Sequence, residues 1–161
     1  MHTLQIINYY NFSSEELCQY LEERYYTQIL SDMLTVQKYL TQLACNEDSD
    51  VVSVMNVVFQ QLEQEVKQLF TKDKLLLFPY FKKQTEVNIN LQPVQQIHQK
   101  IQTILIQLRK LLNNYIQQPD WSNGYKICVN ELYALEQSIH QVLYIKENYL
   151  WAKLNKQFQH E

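Results

Sequence analysis

A chain of 161 residues can bury a core without disulfides or a structural metal. Apolar residues make up 46% and charged residues 19%, which speaks against a disordered chain, and a net charge of −3 with mixed signs speaks against a nucleic-acid surface. Three cysteines (Cys18, Cys45 and Cys128) without a CxxC pair argue against a disulfide framework or zinc site, and the single glycine, Gly124, rules out a glycine-rich phosphate loop.

No stretch approaches the roughly 18–20 apolar residues of a membrane helix, and Met1 to Phe12 has no signal-peptide pattern. The expectation is one cytoplasmic domain over residues 1–161, with residues 1–12 as an N-terminal extension and neither membrane nor nucleic acid as a partner. Ser13 with Glu16 three residues on reads as a capping box opening the first helix, which runs to about Cys45 with a break near Glu22–Arg24. Asn46 to Asp50 is the first turn, with Asp48 or Ser49 as N-cap. The second helix carries Val51, Met55, Val58, Leu62, Val66, Leu69, Asp73 and Leu76 on one face, and Pro79 should kink it near its end. Val87 to Gln92 reads as a connector. Pro93 suits the first turn of the third helix, whose face is Val94, His98, Ile101, Leu105, Leu108, Leu112 and Tyr115. After a connection at Gln118 to Gly124, the fourth helix presents Cys128, Leu132, Leu135, Ile139, Val142, Lys146 and Tyr149. Four long amphipathic helices joined by short turns predict an all-α, up-down-up-down antiparallel four-helix bundle.

Four polar residues interrupt these apolar stripes, one per helix: Tyr26, Asp73, His98 and Lys146. Tyr26 and His98 each lie about nineteen residues before a turn, whereas Asp73 and Lys146 each lie about twenty-four after one. At 1.5 Å per residue the offsets differ by about 7 Å, so all four share one level of the bundle. One inward polar residue is commonplace, but four at one level predict a shared polar cluster.

Several segments around these residues resemble the hemerythrin-like di-iron domain of the iron–sulfur cluster repair family, over about residues 13–156. Leu21-Glu22-Glu23-Arg24-Tyr25-Tyr26 resembles I-V-E-R-Y-H, and Lys72 to Pro79 resembles K-E-E-x-x-L-F-P. Ile97-His98-Gln99 is similar to E-H-D, and Leu108 to Tyr115 to I-R-x-L-T-N-N-Y. Leu135 to Gln141 resembles L-E-x-D-L-H-Q. An internal echo accompanies them: Leu69, Asp73 and Leu77 step by four as Val142, Lys146 and Leu150 do, like the family's two H-x-x-x-E motifs.

The resemblance implies a hemerythrin-like bundle and places the family's metal ligands on specific positions. Four histidines and two bridging carboxylates would hold two irons. The matching positions here are Tyr26, Leu69, His98 and Val142 for the histidines, and Asp73 and Lys146 for the carboxylates. Leucine and valine cannot coordinate, and an ammonium repels cations. The expectation is a degenerate member without a cofactor, in which Asp73 and Lys146 pair while His98 and the Tyr26 hydroxyl satisfy the remaining donors and acceptors. Leu69 and Val142 should close the core between them.

Two functions follow as alternatives. One is a non-catalytic binding or regulatory module, linked by resemblance to iron–sulfur cluster repair and to oxidative or nitrosative stress. The other is a metalloprotein of the same biology, holding one iron or another divalent ion on His98, Asp73 and Tyr26. No catalytic constellation can be assembled from the inward residues. His140 reads as a flanking residue. The cysteines read as small apolar fillers, and if one reacts, Cys18 or Cys45 near a helix end is favoured over Cys128 on the core face. The partner is an unspecified protein or a second copy of the chain, with a dimer contact expected at the tyrosine-rich N-terminal region, Tyr9, Tyr10, Tyr20 and Tyr25.

Overall fold

Ser13 opens the first helix as the capping box predicts, its Oγ accepting the Glu16 N–H at 3.1 Å. The computed structural model describes residues 7–83 and 89–157; His2, His160 and the start of the Val87–Gln92 connector lie outside them. The described residues are helical with no strand, and they form four long stretches. The first comprises α1 (Ser14–Leu21), a wide π-helical turn (Glu22–Tyr26) and α2 (Thr27–Asn46). The second comprises α3 (Asp50–Lys72), a second wide turn (Asp73–Leu77) and α4 (Phe78–Lys83). The third is α5 (Gln92–Leu111), with Pro93 in its first turn. The fourth comprises α6 (Asn123–Ile145), a third wide turn (Lys146–Leu150) and α7 (Trp151–Gln157). No helix among the described residues is long and apolar enough to cross a membrane.

Buried side chains from all four stretches merge into one apolar core, with α2 packed on α3 and α6, α3 on α5, and α1 on α4. Leu69 and Val142 are both buried in it.

The wide turns follow from the spacing of the apolar residues. Leu69, Asp73, Leu77 and Phe81 are all buried, as are Val142, Lys146, Leu150 and Leu154. Each set takes three consecutive steps of four, whereas an α-helix brings a face round in about eleven residues. The surplus residue is absorbed by a turn closed from i to i+5: the Phe78 N–H donates to the Asp73 carbonyl, and the Trp151 N–H to that of Lys146. In the first stretch the surplus is one step of five, from Leu21 to Tyr26.

These turns correct several sequence expectations. The first helix does not break near Glu22–Arg24; it widens there and continues. Leu76, expected inside, is 65% exposed, while Leu77 takes its place at 1%. Leu150 rather than Tyr149 continues the buried stripe of the fourth stretch. Near Pro79 the helix leaves α geometry in the turn before the proline and resumes through it as α4. At the start of α3, Val52 and Phe59 are buried where Val51 and Val58 were expected. Ser49 holds the N-cap position of α3, but its side chain makes no capping bond. The third helix stops at Leu111, so Tyr115 does not extend its face. Asn113, Asn114 and Tyr115 instead form a left-handed turn with φ of 52°, 55° and 62°. Such residues cost about 1–2 kcal/mol each, less for asparagine, whose short side chain bonds locally.

Candidate functional site

Tyr26, Asp73 and Lys146 each sit at an end of one of the three wide turns, and His98 comes from the unbroken helix α5. The structure brings all four together in the core, essentially without solvent exposure. The Tyr26 hydroxyl donates to Asp73 Oδ2 at 2.6 Å, and the Lys146 ammonium donates to the same oxygen at 2.7 Å. Lys146 Nζ also lies 2.9 Å from His98 Nε2, and His98 Nδ1 lies 3.0 Å from Glu147 Oε1. Tyr26, Asp73, Lys146, His98 and Glu147 thus form one continuous hydrogen-bonded chain.

Donor and acceptor rules fix the protonation of the chain. An ammonium has only protons to offer, so His98 Nε2 must be bare and Nδ1 must carry the ring proton, donated to the Glu147 carboxylate. Burial and the neighbouring Lys146 charge agree, holding the His98 imidazole down to about 2. Burial also lowers Lys146 below the ordinary lysine range, opposed by the attraction and hydrogen bond of Asp73. Burial, with the Asp73 charge, raises Tyr26 well above the ordinary phenol range, so it stays a donor. Burial pushes Glu147 upward, against the pull of Lys146.

Aromatic rings wall the cluster off. Phe70 stacks on Tyr26 at 3.8 Å between centroids, nearly parallel, and Phe78 lies beyond at 5.8 Å. Trp151 covers the other side, its ring 4.5 Å from His98 and 5.6 Å from Lys146 Nζ, within cation–π range. Asp73 Oδ1 is buried without a hydrogen-bond partner among the described residues, so the ion pair is not fully satisfied.

Glu147 and Trp151 were not anticipated from the sequence. The residue after an inward one normally points about 100° away along an α-helix, which hides Glu147 from periodicity arguments. The signal for both was the run of four-residue steps through Val142, Lys146 and Leu150, which demands a wide turn just there.

The residues present do not fit the metal centre that the resemblance implies. Leu69 and Val142 offer no donor atom, and Lys146 occupies the point between Asp73 and His98, using a donor of each. No group of three His, Cys, Asp or Glu side chains among the described residues could hold an ion. The single-ion alternative on His98, Asp73 and Tyr26 meets the same obstacle, because the ammonium would repel the incoming cation.

The remaining candidates lie elsewhere. His140 sits half-exposed on the flank, its Nε2 3.2 Å from Glu136 Oε1. Cys18 is fully buried in the core, as an apolar filler would be, and burial pushes its thiol up to about 12, with Lys82 opposing; its ranking above Cys128 as a reactive thiol is therefore corrected. Cys128 is buried and likewise raised to about 12, whereas Cys45 is exposed. The N-terminal tyrosines pack within the chain: Tyr9 meets Phe12, Tyr20 and Tyr149, Tyr10 meets Tyr149, and Tyr20 meets Tyr25. Comparison with known proteins finds no family model that matches this chain and no match among curated proteins.

Proposed function

We propose that this chain is a hemerythrin-like, up-down-up-down antiparallel four-helix bundle that has lost its di-iron site and acts as a non-catalytic binding or regulatory module. The link to iron–sulfur cluster repair and to oxidative or nitrosative stress rests on the sequence resemblance alone. The observation that carries the reading is the Lys146 ammonium between Asp73 and His98. A side-chain cation held by Asp73 stands where the resemblance would put a metal ion, and its charge answers the same carboxylate. Phe70, Phe78 and Trp151 pack around Tyr26 and His98, and Tyr26, Asp73, Lys146 and His98 are buried, which supports a structural rather than a substrate-binding cluster. Its role is to fasten the four stretches at one level, leaving the outer surface for recognition.

Elemental analysis of protein purified without chelators tests the reading. Well under one iron per chain is expected, without the visible absorption of an oxo-bridged pair. Two irons per chain would overturn it.

A further inference from the structure

The connections α2–α3 and α5–α6 meet at a groove of about 520 Å³ that is separate from the polar cluster. Its lining includes Glu47, Val51, Leu111, Asp120, Trp121 and Tyr125, and no lysine, arginine or histidine. We infer that this groove binds a basic side chain, lysine or arginine, presented by a partner protein. Three features on its walls match that occupant. The half-buried Trp121 ring, held against the buried Tyr125 ring at 4.7 Å and 55°, supplies an aromatic wall on which a cation can rest. Glu47 supplies a carboxylate that is already oriented, because the Ser122 hydroxyl donates to it while capping α6 through the Tyr125 N–H. Asp120 adds a second carboxylate, and Asp48 and Asp50 flank the same turn as Glu47, so the charged side chains that line the groove are all acidic. Val51, which is exposed, and the half-buried Leu111 give the aliphatic stem of such a side chain an apolar bed.

The inference rests on the binding-module reading and names the chemistry of its partner. N-acetyl-lysine methylamide titrated into the full chain tests it, with N-acetyl-norleucine methylamide as the uncharged control, followed by nitrogen-15 NMR. The lysine probe is expected to shift the Trp121 indole and the Asn113 and Ser122 amides saturably, and the norleucine probe is not. Trp121→Ala, or Glu47→Gln with Asp120→Asn, should weaken binding about tenfold. The absence of a saturable shift in the parent protein, or equal binding of both probes, would overturn the proposal. Iron in the purified protein would overturn the proposed function and leave this titration unchanged, so the two failures are distinguishable.

Discussion

An ammonium placed between a carboxylate and a bare imidazole nitrogen satisfies both, because it only donates. Lys146 does this with no solvent exposure, so removing it leaves Asp73 charged, buried and held by the Tyr26 hydroxyl alone. Lys146→Met should therefore destabilise by about 3–5 kcal/mol in urea unfolding, and adding Asp73→Leu should recover much of the loss. Small, additive effects would mean that the two residues are not coupled. His98 gives a second prediction. Its folded pKa of about 2 lies below the 6.5 of an unconstrained imidazole, so on acidification the unfolded chain takes up the proton first. The stabilisation is fully present above pH 6.5 and is lost as pH falls toward 2. Between pH 6.5 and 5 the parent should lose roughly 1.5–2 kcal/mol more than His98→Phe. Equal losses would show that His98 does not titrate on unfolding. All four clustered residues were legible in the sequence because each interrupts an apolar stripe. Their partners Glu147 and Trp151 were not, since a wide turn re-aims the side chains that follow Lys146.

Each long stretch obeys the α-helical period until it nears the polar level, and three of the four then widen by one residue. Wide turns of this kind concentrate at functional sites, and here each carries a member of the cluster. Steps of three and four located the four stretches, but several boundary residues were misplaced. Leu76 was placed inside by counting on an unbroken helix, and Tyr115 by extending α5 past its end at Leu111. Both cap positions were legible, Ser13 with a side-chain capping bond and Ser49 without one. Ser13→Ala, which removes the bond to the Glu16 N–H, should lower stability by about 1 kcal/mol in thermal unfolding. Ser49→Ala, which removes no capping bond, should cost much less. A larger loss at Ser49 would contradict this assignment. Leu69 of α3 and Val142 of α6 test the core beside the cluster. Converting both to His should cost roughly 2–5 kcal/mol, because two polar rings would enter an apolar site without partners. Unchanged stability would mean that this part of the core admits water.

For the whole molecule, one apolar core is shared by four helical stretches, and the proposed function expects it to fold without an ion. The ion pair is a fastener rather than a large source of stability, since a buried pair gains little over well-packed apolar residues. In a metal-dependent bundle, by contrast, binding free energy adds directly to folding free energy. Calorimetric unfolding of the full chain, once after exhaustive chelation and once with excess ferrous iron under anaerobic conditions, separates these cases most directly. Iron at a hundred times its dissociation constant would stabilise a true site by about 2.7 kcal/mol, or roughly 5–10 °C in Tm. The expected result is the same Tm under both conditions, with Lys146 holding the place of the cation. A rise of several degrees that saturates at one or two irons per chain would contradict it.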